Sequence, residues 1–350
     1  MSVAHASVAL EHTGFAIGTE NGFKLFQLHP LHFRMYKNFV PDVGPVRIVK
    51  HMGLSNRVVY VSALGGKFAQ NNVLIFDMEF NRNKTEITTP SRYGAVTNVH
   101  VSHNRLVVFT ANRMFVYEFP ENIKQIRAED IRNNPRGISA MSYEPSTSAC
   151  YIAYPGFDTG TVQIMNLNTL TTRESKSPVV IKAHETEIAQ VALNCQGTLV
   201  ATGSTKGTVI RVFDARTKGL LYELRRGTVP AHLACLAFSP CSCYLALASD
   251  KGTLHLFGIR DAEPQKKKGL IDVGTSSILK IQLDRKVLAL GFSKQTAKSF
   301  HGLVAICSDA TYWRYHFSKD SNGKYIAMQP YFEQLIDFAD EASFFRIPTE

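Results

Sequence analysis

Two adjacent arginines, in the segment Leu224-Arg225-Arg226-Gly227, lie between two matching sets of small hydroxyl and basic residues. Upstream are Ser204, Lys206, Thr208 and Arg211; downstream are Ser249, Lys251, Thr253 and His255. A guanidinium is a rigid fork of N–H donors that fits phosphate oxygens two at a time. Hydroxyls and backbone N–H groups around such a cation supply the remaining donors a phosphate needs. Successive side chains of an extended chain point to opposite faces, so Arg225 and Arg226 are expected to serve two pockets, one on either side. Taken singly, each Ser or Thr reads as an ordinary strand hydroxyl; the duplicated set around Arg-Arg is what points to a ligand. From Gly207 to Phe213 the spacing is one residue longer than from Gly252 to Phe257. A β-bulge there is expected to turn Arg211 towards the side of Thr208.

Other chemistries find little support. Leu64-Gly65-Gly66-Lys67 lacks the spacing of a phosphate-cradling loop, and His184-Glu185 has no second His four residues on. There is no G-x-S-x-G nucleophile elbow. The six cysteines contain no C-x-x-C pair, and Cys241-Ser242-Cys243 is too isolated for a four-ligand zinc site. Several of them sit in apolar runs, where a reduced thiol packs as a small hydrophobe. Binding rather than catalysis is expected, with no metal and no cofactor.

The elements that must position these residues recur along the chain. A small or polar residue, a charged or polar one, a Gly and then an alternating strand appear at Glu20–Phe26, Asp158–Ile164, Thr205–Arg211 and Asp250–Leu256. Gly160 to Gly207 is 47 residues, Gly207 to Gly252 is 45, and Gly22 to Gly160 is 138, three steps of 46. A degenerate copy, Ser308–Tyr315, places Ala310 58 residues after Gly252, one repeat plus an insertion. Short strands at a period near 45 read as an all-β, WD40-like propeller of seven blades filling residues 1–350 as one domain. The N-terminal strand is expected to close the last blade, and Tyr331–Asp337 to form a short helix. Loops are expected at Lys176–His184 and at Ile259–Ser277, the latter on blade six.

The chain has 350 residues, 45% hydrophobic and 19% charged, the composition of a folded protein. Lys plus Arg exceeds Asp plus Glu by 39 to 29, a formal charge of +10. That favours acidic partners, whether nucleic acid, an anionic membrane or an acidic protein, without choosing among them. The first ten residues lack a basic start followed by an apolar stretch, so no signal peptide is expected. No apolar run approaches the length of a membrane span.

Leu224-Arg225-Arg226-Gly227 resembles the F/L-R-R-G signature of the PROPPIN family, the WIPI-type propellers that bind phosphoinositides. The resemblance extends through Gly18–Phe23, Gly65-Gly66-Lys67 with Asn72–Asp77, Lys182–Glu185, Asn194–Thr198 and Ser204–Thr208. The Leu form is similar to the WIPI-three and WIPI-four branch. The family implies two sites for phosphatidylinositol 3-phosphate, and for the 3,5-bisphosphate, on one edge of the propeller. Carried over by motif position, site one uses His184, Ser204, Lys206, Thr208, Arg211 and Arg225. Site two uses Arg226, Thr228, Ser249, Lys251, Thr253 and His255. Members also insert a long blade-six loop with aromatic residues into the bilayer. Here Ile259–Ser277 has no Phe, Tyr or Trp and offers Lys266, Lys267 and Lys268, then Leu270, Ile271 and Val273, as membrane contacts. The resemblance further implies a monomer that binds no nucleic acid. It would be cytoplasmic and peripheral on autophagic precursor or endosomal and vacuolar membranes, with an Atg2-type lipid-transfer protein as partner. The alternative is a WD40-type scaffold that meets an acidic protein or RNA.

Overall fold

Period-two alternation between turn residues sets the architecture: each run is a strand with one face towards each neighbouring blade. The computed structural model describes residues 3–28, 31–38, 44–53, 55–171, 178–259, 272–293, 302–328 and 330–335. Their strands form seven sheets, the seven blades, antiparallel throughout but for one strand added to blade five.

Blade one is Val3–Val8 (β1), Gly14–Thr19 (β2), Gly22–Gln27 (β3) and His32–Asn38 (β4). Blade two is Val46–His51 (β5), Arg57–Ser62 (β6), Asn72–Asp77 (β7) and Arg82–Thr88 (β8). Blade three is Val96–Val101 (β9), Arg105–Thr110 (β10), Arg113–Glu118 (β11) and Gln125–Asp130 (β12). Blade four is Ala140–Glu144 (β13), Ala149–Pro155 (β14), Thr161–Asn166 (β15) and Val179–Lys182 (β16). Blade five is Ile188–Leu193 (β17), Leu199–Ser204 (β18), Val209–Asp214 (β19) and Leu220–Arg225 (β20). Blade six begins with Leu233–Phe238 (β21), Tyr244–Ser249 (β22) and Thr253–Gly258 (β23). Asp272–Ser276 (β24) then runs parallel to β20 on the outside of blade five, and Leu279–Gln282 (β25) completes blade six. Blade seven is Val287–Ser293 (β26), Gly302–Cys307 (β27), Thr311–Lys319 (β28), Tyr325–Ala327 (β29) and Tyr331–Gln334 (β30).

Seven apolar clusters each bridge one pair of adjacent blades, so burial closes the ring. Phe15, Phe26 and Leu28 of blade one meet Val304, Ile306 and Tyr312 of blade seven in one of them. Leu224, Ile210 and Val212 of blade five meet Leu245, Leu247 and Phe257 of blade six in another. At ~25 cal/mol per Å² of apolar surface removed from water, these seven seams are the main favourable term in the fold.

Four expectations are corrected. The N-terminal strand does not close the last blade: β1 pairs with β2, blade seven carries strands of its own, and the seam is packed and bridged by a Val3 N–H to Ser308 carbonyl bond of 3.1 Å. Tyr331–Asp337 is not a helix over its described part. Tyr331–Gln334 is β30, drawn into the sheet because the first half of β28 needs an outer partner and Phe332 packs on Trp313 at 4.7 Å. Within Lys176–His184, Val179–Lys182 is the outer strand of blade four. Within Ile259–Ser277, Asp272–Ser276 is strand, and Ile259 is buried in the seam between blades five and six.

Candidate functional site

The turn that opens each third strand positions the hydroxyls. Gly160, Gly207 and Gly252 have φ of +73°, +66° and +70°, and Ala310 keeps the same turn at +61°. A side chain at Gly207 would overlap the carbonyl of Ala231 as well as strain the left-handed backbone, so only Gly fits there. The turn leaves Ser204 and Ser249, each the last residue of its blade's second strand, buried on either side of the Arg-Arg segment. Lys206 and Lys251 stand exposed beside the two glycines.

Strand alternation separates the two arginines. Leu224 fills the core between blades five and six, so Arg225, next on β20, points the other way and is exposed. Arg225 makes no ion pair or side-chain hydrogen bond among the described residues. Arg226 turns back towards blade six and is only 8% exposed. Its Nε donates to the Gly207 carbonyl at 3.0 Å, and a terminal N–H donates to the Val229 carbonyl. The Thr208 carbonyl accepts the N–H groups of both Arg226 (2.9 Å) and Gly227 (3.3 Å). Thr208 is thus the extra residue read from the spacing, and its backbone clamps the end of the arginine segment.

On the blade-four side, Arg211 and His184 meet. Arg211 donates from Nε to Glu223 Oε2 at 2.9 Å and from a terminal nitrogen to the Ala183 carbonyl at 2.7 Å. His184 Nε2 lies 3.0 Å from Thr202 Oγ1, whose own proton goes to the Arg211 carbonyl at 3.3 Å. His184 is therefore the donor and is neutral. Burial, and then the Arg211 charge, lower its pKa to about 4. The expected turning of Arg211 is not seen. From Val209 to Val212 the β19 ladder is regular against both neighbours, with its bulge one step later, so Arg211 keeps the face of Val209 and Phe213.

On the blade-six side, His255 occupies the place in β23 that Arg211 has in β19: each pairs with the residue two before the buried serine. Burial lowers its pKa to about 4, helped by the charges of Lys280 and Arg226, which places Arg226 in its field. His255 Nδ1 is 3.3 Å from the Ser277 hydroxyl, and Thr253 Oγ1 donates to Gln282 Oε1 at 3.0 Å. Thr228 is exposed beyond the turn. Val273 pairs its backbone with Glu223 in β24, while Lys266, Lys267, Lys268, Leu270 and Ile271 lie outside the described residues. The sequence reading missed Thr202 and Glu223. Both are cross-strand neighbours of Arg211, and the signal for them was their position two residues before Ser204 and Arg225 on the flanking strands.

Basic side chains thus stand on both sides of the end of β20, Arg225 exposed and Arg226 buried against the Gly207 turn, with Glu223 as the carboxylate paired to Arg211. Among the described residues no group of His, Cys, Asp and Glu could hold a metal, and all six cysteines are free thiols.

A family model described as PROPPIN matches residues 2–269. Ectopic P granules protein 6 of Caenorhabditis elegans is 67% identical over 351 residues, 99% of this chain and 90% of that protein. Autophagy-related protein 18 of Dictyostelium discoideum is 32% identical over 245 residues, 70% of this chain and 62% of its own length. Among solved structures, Kluyveromyces lactis Hsv2 superposes with a TM-score of 0.77 at 21% identity, covering 95% of this chain and 99% of the other. KlAtg21, solved in complex with the coiled coil of AgAtg16, superposes with a TM-score of 0.75 at 18% identity, covering 95% and 99%.

Proposed function

The chain belongs to the PROPPIN family, and from that premise we propose that it is a phosphoinositide-binding scaffold of autophagy, recruited to membranes through the two sides of the Arg225–Arg226 segment. The observation that carries this reading is that the two arginines leave the end of β20 in different directions: Arg225 is exposed, and Arg226 is buried against the Gly207–Thr208 turn within the field of His255. Site one comprises His184, Ser204, Lys206, Thr208, Arg211 and Arg225. Site two comprises Arg226, Thr228, Ser249, Lys251, Thr253 and His255.

The lipids are phosphatidylinositol 3-phosphate and the 3,5-bisphosphate, and the protein binds them without turning them over. Lys266, Lys267, Lys268, Leu270, Ile271 and Val273 form the accessory membrane contact. The partners are other autophagy proteins, an Atg2-type lipid-transfer protein among them. The coiled-coil complex of the similar KlAtg21 supports a scaffold role. The membranes are autophagic precursors and endosomal or vacuolar surfaces, reached from the cytoplasm.

Flotation with vesicles tests the reading. Arg225→Ala with Arg226→Ala removes a charge-assisted fork from each site, bonds of about 1.5–3 kcal/mol each, and should abolish binding to 3-phosphoinositide vesicles while the fold survives. Either single variant should keep partial binding. A double variant that floats like the wild type sinks the two-site reading. Wild-type binding that does not distinguish the 3-phosphoinositides from bulk anionic lipid would turn the sites into a diffuse basic surface.

A further inference from the structure

The channel along the propeller axis encloses about 430 Å³ and is lined by the innermost strands of all seven blades. Its charged lining has one sign. Lys50 and Arg136 are joined by the imidazoles of His5, His12 and His100, and no Asp or Glu is among the described lining residues.

Lys50 is the fifth residue of β5 and His100 the fifth of β9, so they stand at corresponding levels on neighbouring blades. His5 on β1 accepts the Val49 N–H on Nδ1 at 3.3 Å, which leaves Nε2 as the protonated, donating nitrogen. The Ser139 hydroxyl donates to the Gly137 carbonyl at 2.9 Å and accepts from Asn98 Nδ2 at 3.2 Å and His100 Nε2 at 2.9 Å, so the N–H of His100 is already engaged. Lys50 has neither an acceptor nor a carboxylate partner among the described residues. A partly buried ammonium facing other cations without a counter-charge is unfavourable, and such groups are ordinarily paired. The electrostatics agree: burial pushes Lys50 down to about 8. Burial, then the Lys50 charge, hold His5 and His100 well below the ordinary histidine value, with Arg47 adding to the effect on His5.

We propose that the channel binds a small soluble polyanion carrying phosphate groups, with Lys50 as its counter-charge, His5 as an N–H donor, and the exposed Arg136 at one mouth. The headgroup of a phosphorylated inositol lipid offers the same chemistry, and the experiment separates the two sources.

Titration calorimetry of the full chain with inositol hexakisphosphate and with inorganic pyrophosphate should detect binding to the wild type. The Arg225→Ala with Arg226→Ala variant removes the rim sites' share of probe binding; both probes should still bind to it, and adding Lys50→Met should weaken that remaining binding about tenfold or more. Wild-type affinity should fall as pH rises from about 7 to about 9.5, as Lys50 loses its proton, and Lys50→Met should remove that dependence. Without ligand, Lys50→Met should have a higher thermal midpoint, because an unpaired charge is gone. A lysine with a merely structural role would give the reverse. Arg136→Ala, an exposed change, should weaken binding even if Lys50→Met does not fold. Failure of the wild type to bind either probe overturns the proposal. So does binding lost in the rim variant but kept in Lys50→Met, and so does loss of phosphoinositide-vesicle flotation in a folded Lys50→Met, which would assign the channel to lipid headgroups.

Discussion

Arg226 is held in place by carbonyl groups of its own chain, whereas the Arg225 side chain is exposed with no partner among the described residues. The first is a preorganised donor that loses little freedom on meeting a phosphate; the second must be ordered by its ligand. Arg211 is a third case, because Glu223 already neutralises it. That carboxylate also repels an arriving phosphate. Glu223→Gln should therefore strengthen binding at site one by about two- to fivefold, the worth of a partly exposed ion pair. Vesicle titration in an Arg226→Ala background isolates site one, and weaker binding there would show that Glu223 orients Arg211 rather than competing for it. The arginines and hydroxyls were legible from residue type and spacing. Glu223 was not, because its relation to Arg211 exists only once β19 and β20 are in register.

At the level of the element, the turn before β19 does two jobs: it opens the strand and supplies the Gly207 and Thr208 carbonyls that hold Arg226 and Gly227. Gly207→Ala should cost about 2–3 kcal/mol, from the left-handed backbone and the overlap with Ala231, and should weaken vesicle binding as well. Gly65→Ala, at φ +88° with open space around it, is the control and should cost about 1 kcal/mol with binding intact. Chemical denaturation and flotation of both variants measure this, and equal losses would show that the neighbourhood of Gly207 yields. The glycine period revealed these turns in the sequence because a left-handed position tolerates few residues. The strands β24 and β30 stayed hidden. Each is a short segment recruited by an edge left open elsewhere, a demand that lies outside its own residues.

For the whole molecule, the seven seams account for why the blade count was readable: each repeat must bury both faces, so the periodicity is global. Closure was misread because it depends on packing at the seam between blades one and seven rather than on a strand order a repeat could display. The ring also buries histidines. His51, His184 and His255 are each lowered to about 4, against an ordinary value near 6.5. On acidification the unfolded chain takes up these protons first, so stability is unaffected above about pH 7.5 and falls between about 6.5 and 4. At pH 5 the loss is about 1–2 kcal/mol per histidine, and the thermal midpoint should drop by about 5–10 °C from its value at pH 7.5. Replacing the three with Gln should flatten that slope, and an unchanged slope would place the acid sensitivity elsewhere. The strand β24 bears on how the molecule is made. Blade five receives its outermost strand only from Asp272–Ser276, after β21, β22 and β23 of blade six have been laid down. As the chain leaves the ribosome from its N-terminus, blade five is thus finished later than its own four strands, and β20 waits as a bare edge. Translation past residue 276 caps that edge and couples the arrival of blade six to the completion of the strand that carries Arg225.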